Sequence, residues 1–412
     1  MAMKILFVVE HFPCLSETFV LNQVTGLLDL GHDVEIYAVG RPSGDVVHPD
    51  VQAYRLLDRT WSAPSIPRSK FKRILEAVRC FPKLLSRCGA RAFRAINPIR
   101  HGKDALNLKF FYTCLPLLER EGRYDAIHCH FGDKGLPAEE WRKMGLLNGS
   151  LSVVFHAHEL AGLSDAEGKR MYGPLFRSDV LLLPISDRWR LRLNRWGAEP
   201  SRNKVHHMGI DLAKFSFAPR ACPEGQTIRI LSVGRFTEQK GYPYALRAVA
   251  RVIKVLNKSV CYTIVGSGEM KEELIELVRE LGIEKSVVFM GGLPQSEVIE
   301  LIAQAHVFLL PSVTASNGFQ EGIPVAIMEA MACGLPVVST IHSGIPELID
   351  DGESGCLSEE KDFHKLADDI AMLQQEPQVA LSIADAARQK VEAEFSLTTL
   401  NIELEHVLQR AV

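Results

Sequence analysis

The sequence has no stretch near the about 18 consecutive apolar residues of a membrane-spanning helix, which argues against an integral helical membrane protein. It has no C-x-x-C pair. Its nine cysteines are an odd, scattered set, which fits reduced thiols packed as core residues better than a disulfide framework or a zinc site. Charge of one sign is also missing: a formal net charge of −3 gives no global pointer to DNA or RNA. No repeat or low-complexity tract interrupts the chain. The run KILFVVE, starting at Lys4, is too short, and too soon followed by Pro13 and polar residues, for a signal peptide, so a cytoplasmic protein is expected.

What is present is 412 residues with 47% hydrophobic content, enough for two domains of about 150 to 200 residues each. Lys4 to Val9 is a continuous β-branched and apolar run, as in a strand buried on both faces of a parallel sheet. A helix follows, with Ser16 as its expected N-cap, Val20, Val24, Leu27 and Leu28 on one face, and Gly31 as its stop. DVEIYAVG, YDAIHCHF, LSVVFHAH and DVLLLPIS continue the strand series. Around Phe215 to Thr227 the pattern is lost and proline and glycine gather, which reads as a linker. TIRILSVG, VCYTIVGSG, SVVFMGG, HVFLLPS and LPVVST then mark a second α/β domain, with helices such as EMKEELIELVRELG between them. The expected layout is two doubly wound Rossmann-like domains, residues 1–214 and 215–395, and a last helix, 396–412, packed back on the first domain. Ligands of such sheets sit beyond the carboxyl ends of strands, so a cleft between the domains should hold the site.

The segment FQEGIPVAIMEAMACGLPVVS, from Phe319, places Glu321 just before a helix expected over Pro324 to Cys333 and Glu329 inside it, with Gly334 as the stop. Unpaired N–H groups and the macrodipole make such a helix start a seat for a diphosphate, and flanking carboxylates can accept hydrogen bonds from sugar hydroxyls. In SVGRFTEQKGY, directly after a strand, Arg235 and Lys240 are either solvated loop charges or partners for a leaving diphosphate.

With GRFTEQKG, VGSGE at Gly266 to Glu269, and EGIPVAIMEAMACGLPVV in this order, the chain resembles the retaining glycosyltransferases of family 4, which have the two-domain GT-B fold. FPCLSETFVLNQV, IHCHF and VVFHAHEL look like the exopolysaccharide and colanic-acid-type members. The resemblance implies that Arg235 and Lys240 bind the donor diphosphate, Glu329 the ribose hydroxyls and Glu321 the donor sugar. His156 matches a first-domain histidine that approaches the transferred sugar; the alternative is a structural strand-end histidine. It also implies catalysis without a bound divalent metal, and His128 and His130 lack a third ligand by spacing. His158 and Glu159 either contact acceptor or serve the fold. Gly266 and Gly268 either admit close approach to the nucleotide or make a tight turn, and backbone near Gly292 and Leu293 is expected to flank the base.

Two features depart from the family pattern. Ser16, Glu17 and Thr18 stand in the loop after the first strand, where glycines are common. Pro324 removes an N–H, which shifts phosphate or sugar contacts to the amides of Ile323 or Val325. Between Arg68 and Lys109 twelve basic residues face only Glu76 and Asp104, with Phe71, Ile74, Leu75 and Val78 at helical spacing. That segment is either an amphipathic helix for an anionic membrane or a solvated helix face.

The expected activity is transfer of a hexose from a nucleoside-diphosphate sugar to a glycan or lipid-linked oligosaccharide acceptor, with retention at the anomeric carbon. UDP-glucose or a related UDP-hexose is the first donor expectation and GDP-mannose the second. No cofactor, metal or nucleic-acid partner is expected. The alternatives are a GT-B epimerase or hydrolase, or a non-catalytic subunit that binds sugar nucleotides.

Overall fold

Two six-stranded parallel sheets of identical order form the scaffold of the computed structural model, which describes residues 2–14, 17–40, 48–120, 122–223 and 225–411, without the side chains at 100, 101, 103 and 104. Ser16, the expected N-cap, lies outside the described residues, and Glu17 occupies the cap position before the helix Thr18–Asp29. In the first sheet β1 is Lys4–Val9, β2 Asp33–Ala38, β3 Thr60–Ser62, β4 Arg123–His130, β5 Asn148–Phe155 and β6 Leu181–Pro184. Their spatial order is β3-β2-β1-β4-β5-β6. In the second sheet β7 is Ile228–Val233, β8 Val260–Val265, β9 Val287–Gly291, β10 Val307–Leu310, β11 Val337–Thr340 and β12 Cys356–Ser358. The order there is β12-β11-β10-β7-β8-β9.

Each sheet therefore reverses direction between its first and fourth strands, β1 beside β4 and β7 beside β10. Beyond the carboxyl ends of these pairs lies the crevice where open α/β sheets bind ligands. The apolar runs form strands because helices cover both faces: five of the six β1 residues are buried, and all four of β10.

The chain crosses between the domains earlier than its proline and glycine content indicates. Lys204 and His206 donate amides to the Leu182 and Pro184 carbonyls, still extending the first sheet. Ile210 then exchanges backbone hydrogen bonds with Phe395 and Leu397. Phe215 is buried in the second domain, and Pro219 packs over Gly334. The described part of the stretch expected as a linker is thus a strap on the second domain, with Pro219 covering a helix end. The return crossing at Phe395 leads into the helix Leu397–Ala411, whose Leu404 and Leu408 are buried in the first core.

Candidate functional site

The helix Val325–Ala332 follows from its sequence. Pro324 sits at its N-cap with extended backbone, one position earlier than the sequence indicates. At its far end Gly334 takes φ +76°, its amide donates to the Met331 carbonyl, and the Leu335 amide donates to the Ala330 carbonyl. This pair of bonds stops the helix and starts β11. Glu329 lies inside with 9% of its surface exposed. Gln295, at the start of the next-door helix Gln295–Gln304, donates to Glu329 Oε1 at 2.7 Å. Burial raises the Glu329 pKa, and the Gln295 hydrogen bond offsets part of that rise.

Lys240 is placed by the turn after β7. Gly241 adopts φ +67°, and a Cβ there would lie 1.8 Å from the Pro311 carbonyl oxygen at the end of β10, so only glycine fits. The Lys240 stem runs over Gly234, and its Nζ reaches Glu321 Oε2 at 3.0 Å, with both side chains largely buried. Arg235, one residue beyond Gly234, is exposed and pairs with no acid among the described residues. The loop glycines explain themselves through packing: a Cβ on Gly266 would lie 1.9 Å from the Gly234 carbonyl oxygen, and one on Gly268 would crowd the Phe236 backbone at 2.5 Å. These contacts press the β8 loop onto the β7 loop that carries Arg235. Ile323 is buried in the second core, Leu293 is partly buried beside it, and Val325 is 46% exposed at the first position of the helix.

The first domain contributes His156, immediately after β5, with its ring between Phe19 and Phe131 at centroid distances of 4.6 and 4.5 Å. Its Nε2 lies 3.3 Å from His130 Nδ1. Burial pulls the His156 pKa down to about 3, so its ring is neutral. The Glu159 carboxylate accepts from the amides of His156 at 2.7 Å and Gly132 at 3.3 Å, tying the ends of β4 and β5 together. Its second oxygen is buried without a partner among the described residues, and burial pushes its pKa up to about 8. His158 is exposed. His128 is held by Ser152 at 2.8 Å and Gln23 at 3.2 Å and is a satisfied core group, whereas His130 Nε2 is buried without a partner among the described residues. Among the described residues no cluster of three or more His, Cys, Asp or Glu is arranged to hold a metal ion.

The two halves meet. A Cβ on Gly322, next to Glu321, would come 3.7 Å from the Ala157 Cβ, next to His156, and 2.7 Å from Ile185 Cδ1. Across the same gap Glu347 accepts from the Asp187 amide at 2.7 Å, the Arg188 amide at 3.2 Å and lies 3.1 Å from His207 Nε2. It caps the first-domain helix Asp187–Trp196 from the second domain.

Residues 218–390 match the family described as "Glycosyl transferases group 1". The amylovoran biosynthesis glycosyltransferase AmsK of Erwinia amylovora is 37% identical over 99% of this chain and 100% of its own length. The chain belongs to the group 1 glycosyltransferases. A second relative of this glycosyltransferase, WcaL of Salmonella typhimurium, named as a candidate colanic acid biosynthesis glycosyltransferase, is 36% identical over 99% and 100% of the two chains. Among solved structures, a glycosyltransferase from Rickettsia africae superposes with a TM-score of 0.71 at 17% identity, covering 100% of this chain and 98% of that one. Anabaena Alr3699/HepE in complex with UDP-glucose also gives 0.71, at 18% identity over 99% and 100%. These superpositions carry the GT-B fold, as the paired glutamates and the strand pattern lead one to expect.

Sequence reading passed over three residues of this glycosyltransferase site. Gln295 holds Glu329, His342 accepts from the Glu321 amide, and Glu360 holds His342. None sits at a helical or strand spacing from its partner, so no local pattern marks it.

Proposed function

We propose that this glycosyltransferase moves a hexose from a nucleoside-diphosphate sugar to a hydroxyl of a lipid-linked oligosaccharide in exopolysaccharide assembly, retaining the anomeric configuration. UDP-glucose or a related UDP-hexose is the first donor and GDP-mannose the second. The observation that carries the reading is the approach of Glu321–Gly322 to His156–Ala157, which puts the Lys240–Glu321 pair and the first-domain histidine on one gap. AmsK and WcaL, similar over their full lengths, bear names from exopolysaccharide biosynthesis, which supports the assembly role. HepE, of the same fold, holds UDP-glucose, which keeps the UDP-hexose donor first.

In this mechanism the bond between the anomeric carbon and the diphosphate oxygen breaks, and its electron pair leaves with the diphosphate. The acceptor oxygen bonds the same carbon from the same face, and its proton passes to the departing diphosphate. Arg235, Lys240 and the first amides of the helix Val325–Ala332 offset the negative charge that develops. These groups fill the role a metal would otherwise take, and the reading assigns none. Glu329 binds the ribose hydroxyls, Glu321 the donor sugar, and His156 approaches the sugar as a neutral ring.

Arg235→Ala and Lys240→Ala test it. Each should lower transfer by about a hundredfold or more, as loss of one charge-stabilising donor does, with circular dichroism unchanged. Near-normal turnover in either variant overturns the assignment. A melting-temperature panel with UDP, GDP, dTDP and ADP should single out one nucleotide, since ligand at a hundred times its Kd stabilises by about 2.7 kcal/mol.

The lipid-linked acceptor is supported by the helix Lys70–Cys88, whose Phe71, Ile74, Leu75 and Val78 form a stripe 57 to 75% exposed. Lys70, Lys72, Arg79 and Lys83 stand exposed on the same helix, which fits a peripheral position on an anionic bilayer from the cytoplasmic side. A groove of about 1760 Å³, lined by Arg68, Ile99, Lys134 and Glu10, joins this basic segment to the carboxyl end of β1. Replacing Phe71, Ile74 and Leu75 by serine should abolish co-sedimentation with vesicles rich in phosphatidylglycerol; unchanged binding refutes the membrane role.

A further inference from the structure

Behind the site, a buried hydrogen-bond relay fixes the backbone of Glu321. His342, fully buried just after β11, places Nε2 3.1 Å from the Glu321 amide nitrogen. That amide donates, so Nε2 accepts and carries no proton. The ring proton is then on Nδ1, which lies 2.5 Å from Glu360 Oε1. Glu360 also accepts from the Thr314 amide at 2.9 Å and the Thr314 hydroxyl at 3.1 Å, and Gln320 donates to that hydroxyl oxygen at 2.9 Å. Ser343 Oγ donates to the Glu321 carbonyl at 2.6 Å. Consecutive residues thus hold the amide and carbonyl of Glu321, and its carboxylate is left to Lys240.

We propose that His342 is a positioning residue for sugar transfer: a neutral imidazole, its tautomer set by Glu360, holds Glu321 at the gap between the domains. The inference rests on the proposed role of Glu321 toward the donor sugar. Protonation of Nε2 would set a donor against the Glu321 amide and release the loop. The charged groups facing the ring are Glu360 and Glu321, which favour its protonation, and Arg188, which opposes it. Burial opposes it most and holds the pKa below the ordinary histidine value.

Three variants and one spectrum test this. His342→Phe keeps a ring but leaves the Glu321 amide without an acceptor, so kcat should fall about tenfold at every pH while donor KM changes less than threefold. His342→Gln keeps an acceptor that cannot take up a proton; kcat should stay near that of the native enzyme, and the acid limb of its kcat–pH profile should disappear. Glu360→Gln removes a carboxylate that favours the charged ring, so that limb should move to lower pH. Native kcat in His342→Phe, or an unaltered acid limb in His342→Gln, overturns the proposal. Should His342→Phe fail to fold, the His342→Gln profile decides. In the ligand-free enzyme, a ¹H–¹⁵N histidine spectrum at pH 7 should show His342 protonated at Nδ1; the Nε2–H tautomer overturns the relay whatever the substrate. Absence of transfer from any donor, with the Nδ1–H tautomer observed, counts instead against the proposed function.

Discussion

Replacing Glu329 by glutamine should strengthen the empty enzyme and weaken the loaded one. The carboxylate is buried with one hydrogen bond from Gln295, and burial raises its pKa above the usual 4.5. The folded state therefore binds this proton more tightly than the unfolded chain. Stability from the group is complete below the unfolded value and is lost as pH rises through the folded one. At pH 7.5 the raised pKa works against the fold, and an amide, which does not titrate, removes that opposition. In Glu329→Gln the ligand-free melting temperature should rise, by about 2–4 °C for each 1 kcal/mol relieved in a domain of this size. That gain should shrink toward zero near pH 4.5. With nucleotide the order reverses. Hydrogen bonds from ribose hydroxyls to a carboxylate contribute about 1.5–3 kcal/mol, so the Kd should weaken about 10- to 150-fold. At a ligand concentration a hundred times the native Kd, binding stabilises the native enzyme by about 2.7 kcal/mol; a variant a hundredfold weaker gains about 0.4 kcal/mol. Differential scanning fluorimetry with and without UDP, the first expected nucleotide, reads both effects, and calorimetry reads the Kd. An unchanged or lower ligand-free melting temperature at pH 7.5, or an undiminished ligand-induced shift, would refute the reasoning.

Two further outcomes follow from the same geometry. Glu347→Ala removes the acceptor shared by the Asp187 and Arg188 amides and by His207, a loss of capping worth about 1 kcal/mol, and should loosen the contact between the domains. Small-angle scattering should show a larger radius of gyration without ligand; an unchanged radius argues against Glu347 as a clasp. His156, with its pKa held near 3, should keep constant ring C–H chemical shifts from pH 5 to 8. A titrating signal in that range would show that the ring is not buried as described.

Ten of the twelve strands were legible as apolar runs, most because a strand covered on both faces is continuously apolar, while the edge strand β9 leaves Val288 and Met290 exposed and shows as a run all the same. The two that were not, β3 and β12, are three-residue edge strands, too short to show a pattern. The same contrast runs through the site. Arg235, Lys240, Glu321 and Glu329 stand next to local punctuation, a strand end, a glycine turn or a helix start, and local sequence places them. Gln295, His342 and Glu360 act across gaps of 34, 21 and 18 residues, where the partner is set by how helices and loops pack on a sheet. Gly266 and Gly268, read either as room for a nucleotide or as a tight turn, leave space that the neighbouring Gly234 and Phe236 backbone comes close to. Docking of the domains depends on this kind of room as well. Gly322 admits Ile185, and Gly344 admits Ser186, whose Cβ would lie 3.2 Å from one added there. A methyl group at Gly344 would crowd Ser186 across the gap and the Gly322 carbonyl on its own side, and one at Gly322 would displace the Ile185 tip, so these two glycines set how closely the loops that carry His156 and Glu321 approach.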